Sequence, residues 1–132
     1  MLRGSSVLMV CGEQKIQLAL GNILSEAGIH VRLVQSCAEA RRALKVSSVP
    51  AALFTDMSLP DGTWADILDL AVAGERQVPV IVVSRVVDIN LYINALEQGA
   101  TDFIVPPFFY QDVLHVLKCS TSAGVAAEAR AA

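Results

Sequence analysis

Asp56 closes the apolar run Ala51-Ala52-Leu53-Phe54-Thr55, and Leu59-Pro60-Asp61-Gly62 turns the chain shortly after it. A short apolar run bounded by Pro and Gly reads as a buried strand of a parallel sheet. In open α/β sheets the chemistry gathers just beyond the carboxyl ends of such strands, so a carboxylate here stands where a reactive one is useful. Asp is also favoured as the residue that opens a turn, and the segment alone leaves both roles open.

The other residues able to do chemistry point less clearly. His30 precedes a strand and His115 sits in the last helix, and both read as ordinary surface or half-buried imidazoles. Cys11, at the end of an early apolar run, would lie near Asp56; such a cysteine is more often a small apolar filler than a reactive thiol. Trp64 follows the turn and reads as a semi-exposed packing residue. The first strand is followed by Cys11-Gly12-Glu13-Gln14 rather than by a glycine-rich phosphate cradle, which argues against a flavin- or nucleotide-binding protein.

Two alternating periodicities must position these groups. Short apolar or alternating runs occupy Ser6–Val10, Ile29–Val34, Ala51–Thr55, Val78–Val83 and Asp102–Val105. Between them lie helical patterns. Ile16, Leu20, Ile23 and Ala27 give one apolar face, ended by Gly28. Ser36 caps a helix carrying Ala40, Ala43 and Leu44, and Asp61 starts one through Ile67, Leu68 and Ala71. Asp88 caps a segment whose face is Ile89, Tyr92, Ile93 and Leu96, ended by Gly99, and a last helix runs from about Phe109 through Val113, Val116 and Leu117. Strands alternating with helices imply a parallel sheet covered on both faces, a (βα)₅ three-layer sandwich. Residues 1–119 form this domain, and the Ala-rich stretch 120–132 reads as a helix end or flexible tail.

Composition sets limits. A chain of 132 residues, 54% apolar and 17% charged, builds one well-cored domain rather than a disordered segment. Net charge is −3 with no basic stripe, which argues against direct nucleic-acid binding and gives no pull toward anionic membranes. The run Val7–Val10 is too short for a signal peptide or a membrane span. Cys11, Cys37 and Cys119 share no metal or redox spacing, and their odd number fits a reducing cytoplasm.

Four segments in register resemble the receiver domains of two-component response regulators: Asp56-x-x-Leu59-Pro60-Asp61-Gly62, Val78-Pro79-Val80-Ile81-Val82-Val83-Ser84, Ala95 through Phe103 with Gly99-Ala100 at its centre, and Pro107-Phe108. The likeness covers about residues 5 to 118. It implies the flavodoxin-like strand order 2-1-3-4-5. It further implies that Asp56 is the phosphoryl acceptor, that Ser84 contacts the phosphoryl group, and that Phe103 is the aromatic that switches rotamer. A cis peptide before Pro107 is also implied, as is signalling through the face of the fourth helix, fifth strand and fifth helix.

The departures from that pattern matter equally. Receivers usually end their first strand with two adjacent acids that hold Mg²⁺ together with the acceptor; here Cys11 and Gly12 stand there. They usually carry a lysine before the proline of the last strand; here it is Pro106. Mg²⁺ prefers near-octahedral oxygen ligands gripped through carboxylates, so Asp56, the Ser58 carbonyl and waters would make a weak site. Glu13 could swing in, although serving the first turn of its helix is its ordinary role. Arg85 could supply the lost positive charge, although a plain surface Arg is its ordinary reading.

Two functional classes follow. In the first, Asp56 accepts a phosphoryl group from a histidine kinase or phosphotransfer protein. In the second, the chain is a pseudo-receiver, an interaction module in which the Mg²⁺-dependent route is lost. Haloacid-dehalogenase-like phosphatases, which use an Asp nucleophile, keep a second acid two residues later; Ser58 stands there, so no enzyme is expected. Asp56 is expected to be exposed to a pocket and slow to react. The partner face, marked by Phe103, Leu91, Gln98, Asp102 and Gln111, is expected to be apolar and weakly charged, serving a second copy or an output domain.

Overall fold

A computed structural model describes residues 5–46, 49–73 and 77–131, with side chains for all of these except 46 and 121–131. In chain order the elements are β1 (Ser6–Val10), α1 (Gln14–Glu26), β2 (His30–Val34), α2 (Cys37–Val46), β3 (Ala52–Asp56), α3 (Trp64–Ala73), β4 (Val80–Val83), α4 (Ile89–Glu97), β5 (Asp102–Ile104) and α5 (Tyr110–Ala131). A small antiparallel hairpin, Ser58–Leu59 against Gly62–Thr63, separates β3 from α3. The main sheet is parallel, in the order 2-1-3-4-5 when its own strands are counted. This is the flavodoxin-like architecture.

Period-two alternation divides the core into two halves. Val7, Met9, Phe54, Ile81 and Val83 point to one face, where Ile16, Leu20 and Leu24 of α1 and Val113 and Leu117 of α5 cover them. Leu8, Val10, Leu53, Val80 and Val82 point to the other, under Ala40 and Ala43 of α2, Ile67, Leu68 and Ala71 of α3, and Ala95 of α4. β3 is buried along its whole length, as the central strand of a doubly covered sheet must be. Phe54 is fully enclosed, a burial worth about 1.5–3 kcal/mol. β2 lies at the edge, exposing His30 and Arg32, polar side chains that discourage edge-to-edge pairing.

Local chemistry sets the helix ends. The Ser36 hydroxyl accepts from the Glu39 N–H at 3.1 Å, and Asp88 accepts from the Leu91 N–H at 3.1 Å. Gly28 (φ 77°) and Gly99 (φ 113°) take the left-handed conformation just past α1 and α4, where a side chain would be strained. β4 begins only at Val80, because Pro79 has no N–H for the ladder.

Three expectations are corrected. Asp61 does not start α3: its carboxylate accepts from the N–H groups of Cys37 at 2.8 Å and Ala38 at 3.0 Å, capping α2 instead. α3 is capped by a box in which the Thr63 N–H donates to Asp66 at 2.9 Å and the Thr63 hydroxyl accepts from the Ala65 N–H at 3.3 Å. Trp64 is buried rather than semi-exposed, because the hairpin turns its indole into the core under α3. On α4 most of the expected apolar face lies outward, with Ile89 70% and Ile93 48% exposed, Tyr92 exposed too and Leu96 half-buried, while Ala95 and half-buried Leu91 meet the sheet. Ile89-Asn90-Leu91-Tyr92-Ile93-Asn94-Ala95-Leu96 is apolar on most sides, so its periodicity selects no single inner face.

The backbone of α5 continues to Ala131, through most of the 120–132 stretch, and Ala132 lies outside the described residues. Among the described residues no helix is long and apolar enough to cross a membrane.

Candidate functional site

Asp56 is the last residue of β3, paired in register with Val83 of β4. Its Oδ1 accepts from the Met57 N–H at 2.8 Å, and the Met57 carbonyl accepts from the Trp64 N–H at 3.2 Å. The capped start of α3 thereby closes the loop beneath the carboxylate. Contrary to expectation the carboxylate is not open to a pocket: Asp56 is only 3% exposed.

Arg85 is what covers it. One guanidinium nitrogen donates to Asp56 Oδ2 at 3.0 Å, and Nε donates to Glu13 Oε2. Glu13 is the N-cap residue of α1, yet its side chain makes no capping hydrogen bond and turns to Arg85 instead. A bond between two full charges outweighs a carboxylate's bond to a neutral backbone N–H, and the fork of Arg fits a carboxylate on each arm. Burial works to lower the Arg85 pKa, but the hydrogen bond to Glu13 and the charges of Asp56 and Glu13 outweigh it and raise it, so the cation is secure.

The β1 loop supplies a thiol where an acid is usual. Cys11 Sγ lies 3.8 Å from Asp56 Oδ2 and 3.7 Å from the Glu13 carbonyl. Burial pushes the thiol up to about 11; a backbone hydrogen bond with Glu13 opposes this and the Asp56 charge adds to it, so Cys11 stays protonated at neutral pH. Gln17, which nothing in the sequence marks, donates to the Cys11 carbonyl at 2.7 Å and fixes this loop. Gly12 is exposed, and a side chain there would meet nothing within 4 Å.

Ser84 is buried at the end of β4. Its hydroxyl donates to the Val86 carbonyl at 2.8 Å and accepts from the Val86 N–H at 3.2 Å, bonds that hold its own loop. Ser58 is exposed in the hairpin, Pro106 is exposed after β5, and the Pro106–Pro107 peptide is cis. Phe103 is half-buried, its ring 5.7 Å from that of Tyr92 with 32° between the planes. On the segment from the end of β4 through α4, Val86, Val87, Ile89, Tyr92 and Ile93 are exposed. Gln98 and Gln111 are exposed as well, but Leu91 and Asp102 are half-buried, with Asp102 accepting from the Phe103 N–H at 2.7 Å. His30 and His115 lie away from Asp56, the latter 3.5 Å from Cys119 Sγ.

A family model of the response regulator receiver domain matches residues 7–118. The chain belongs to this family. It is 29% identical over 124 residues to the transcriptional regulatory protein FixJ of Rhizobium meliloti, covering 94% of this chain and 60% of FixJ. It is 31% identical over 121 residues to the transcriptional regulatory protein KdpE of Mycobacterium tuberculosis, covering 92% of this chain and 53% of KdpE. The receiver domain therefore spans little more than half the length of these relatives. The receiver domain of a sensor histidine kinase from Pseudomonas aeruginosa, solved with a magnesium ion coordinated in its active site cleft, shares the fold at a TM-score of 0.78 and 22% identity, over 89% of this chain and 98% of that one.

The residues of this receiver domain fit a divalent ion poorly. Both Asp56 oxygens already accept hydrogen bonds, Glu13 is paired, Cys11 is protonated and Gly12 offers no ligand. Among the described residues no group of three or more acids, cysteines or histidines could hold a metal.

Proposed function

We propose that this receiver domain accepts a phosphoryl group on Asp56 from a histidine kinase or phosphotransfer protein, by a slow route that leans little on Mg²⁺. The observation that carries the reading is the placement of one buried carboxylate at the end of the central strand, held between a backbone N–H and a guanidinium. In the step, an Asp56 carboxylate oxygen forms a bond to phosphorus as the phosphorus–nitrogen bond of a phosphohistidine breaks. The departing imidazole keeps the bonding pair and takes up a proton.

Charge spread over the transferring oxygens must be stabilised electrostatically, and Arg85 is the cation in place to do so. Ser84 would contact the product by turning its hydroxyl from Val86. The domain performs no turnover of its own and works where kinases deliver phosphoryl groups, in the cytoplasm. Its signalling face is α4–β5–α5, offered to a second copy or to an output domain. Phe103→Ala is expected to weaken that association; unchanged self-association and partner binding would remove Phe103 from it.

The pseudo-receiver reading is favoured by one specific observation, the 3% exposure of Asp56 beneath Arg85. Mass spectrometry after incubation with acetyl phosphate separates the two. Slow addition of one phosphoryl group to the wild type and none to Asp56→Asn supports the acceptor; no addition to either supports the pseudo-receiver.

A further inference from the structure

We propose that the Arg85 guanidinium is the resident cation of this pocket, clasping the two carboxylates, Asp56 and Glu13, that a divalent ion would need, and so keeping the domain insensitive to Mg²⁺. The proposal rests on the preceding reading only for the identity of the pocket and needs no phosphoryl transfer.

Four observations converge on it. Arg85 joins two carboxylates from two separate parts of the chain, 72 and 29 residues away, with different nitrogens of one fork. A surface arginine held by chance pairs with one neighbour; this one links the end of β3 to the start of α1. Second, Asp56 Oδ1 is held by Met57 and Oδ2 by Arg85 with the Cys11 thiol alongside, so a metal would have to break existing bonds before making its own. Third, among the described residues no buried side-chain nitrogen or oxygen lacks a hydrogen-bond partner, so the pocket is satisfied as it stands. Fourth, Pro106 brings no cation, and Cys11 and Gly12 bring no acid. One positive charge therefore already stands against two negative ones.

Competition favours the tethered group. A cation on the same chain acts at an effective concentration of about millimolar or more, without the translational entropy a free ion loses. Mg²⁺ sheds water reluctantly and does so for sites offering several free carboxylate oxygens, which this pocket lacks. The Asp56 arm is the buried one: the Arg85 side chain is 52% exposed and that of Glu13 32%, but that of Asp56 only 4%. The contact with Asp56 is thus the less screened of the two.

Binding of Mn²⁺ alone, followed by the loss of its free-ion paramagnetic resonance signal with no phosphoryl donor present, tests the inference separately from phosphorylation. Wild type is expected to take up no Mn²⁺ at millimolar concentrations. Arg85→Met should bind it about tenfold or more tightly, because a full positive charge leaves the site, and adding Asp56→Asn should abolish that gain. Arg85→Gln, which keeps a polar side chain, is read the same way and stands in if Arg85→Met loses its native circular dichroism. Equal Mn²⁺ behaviour of wild type and the folded Arg85 variant, whether both bind or neither does, would overturn the proposal. Failure of Asp56 to be phosphorylated would leave it intact.

Discussion

The two loops that flank Asp56 depart from the receiver pattern in opposite senses. The loop after β1 carries Cys11-Gly12 where receivers usually place two acids, while the loop after β4 carries Arg85 immediately after the buried hydroxyl of Ser84. One loop lacks negative charge and the other supplies positive charge, and Glu13 at the edge of the first is drawn to the second. A buried carboxylate needs a counter-charge, and whether that comes from a free ion or from the chain is a matter of which loop provides it. On the proposed reading the pocket takes its cation from the chain, and what it gives up is the stronger electrostatic pull on transferring charge that a metal would add.

Reversing the comparison gives the largest expected effect. Cys11→Asp/Gly12→Asp/Pro106→Lys should be labelled by acetyl phosphate with Mg²⁺ about a hundredfold faster than wild type, the usual worth of one strong charge-stabilising contribution. The added side chain at position 12 has open space, whereas Asp at position 11 would sit beside Asp56, so the variant should also lose stability in chelator. Rates followed by intact mass check both; an unaccelerated variant would mean that the β1 loop is not what limits the chemistry.

Removing the cation should have a moderate effect on folding. Arg85→Ala leaves Asp56 buried without its charged partner, and urea unfolding should show a loss of about 1–3 kcal/mol, discounted because Arg85 is itself half-exposed. Glu13→Gln, at the more exposed end of the clasp, should lose well under half as much. Equal losses would mean that the two arms are equivalent.

A smaller effect separates this clasp from the cap that Asp61 provides. The N–H groups of Cys37 and Ala38 hold the Asp61 carboxyl below its ordinary range. A lowered folded-state value means stability that is present above the unfolded value, about 4, and lost as pH falls through the folded value. The melting-temperature gap between wild type and Asp61→Ala should therefore be full near neutrality and shrink below about pH 4. A gap independent of pH would assign the loss to packing rather than to the charged cap.

The smallest signal is chemical silence at Cys11. With its thiol held up near 11, native protein at neutral pH should leave Cys11 unalkylated by iodoacetamide while exposed Cys119 reacts. Peptide mapping reads this directly, and rapid modification of Cys11 would show that the pocket opens.

How much of this was legible in the sequence depends on the range of the interactions. Alternating strands and helices yielded the parallel sheet, because buried strands such as Leu53-Phe54-Thr55 announce themselves locally; its strand order followed from the receiver resemblance, not from periodicity. The Ser36 and Asp88 caps were equally readable, since a cap and its helix are adjacent. The α4 face was not, because a helix apolar on most sides leaves the choice of inner face to tertiary packing. Arg85 and Glu13 could be named as candidates for the pocket, but their pairing with each other and with Asp56, like that of Asp61 with α2, was hidden, because long-range polar pairings leave no periodic trace. Asp56 could be singled out because its strand-end position is itself the signal; the company it keeps is decided by folding.

The most direct measurement is the rate of phosphoryl addition to Asp56 from acetyl phosphate in Mg²⁺ and, separately, in excess chelator. Slow labelling at nearly equal rates in both, absent in Asp56→Asn, is the expected result. Rapid labelling that collapses in chelator would contradict a pocket whose cation is Arg85.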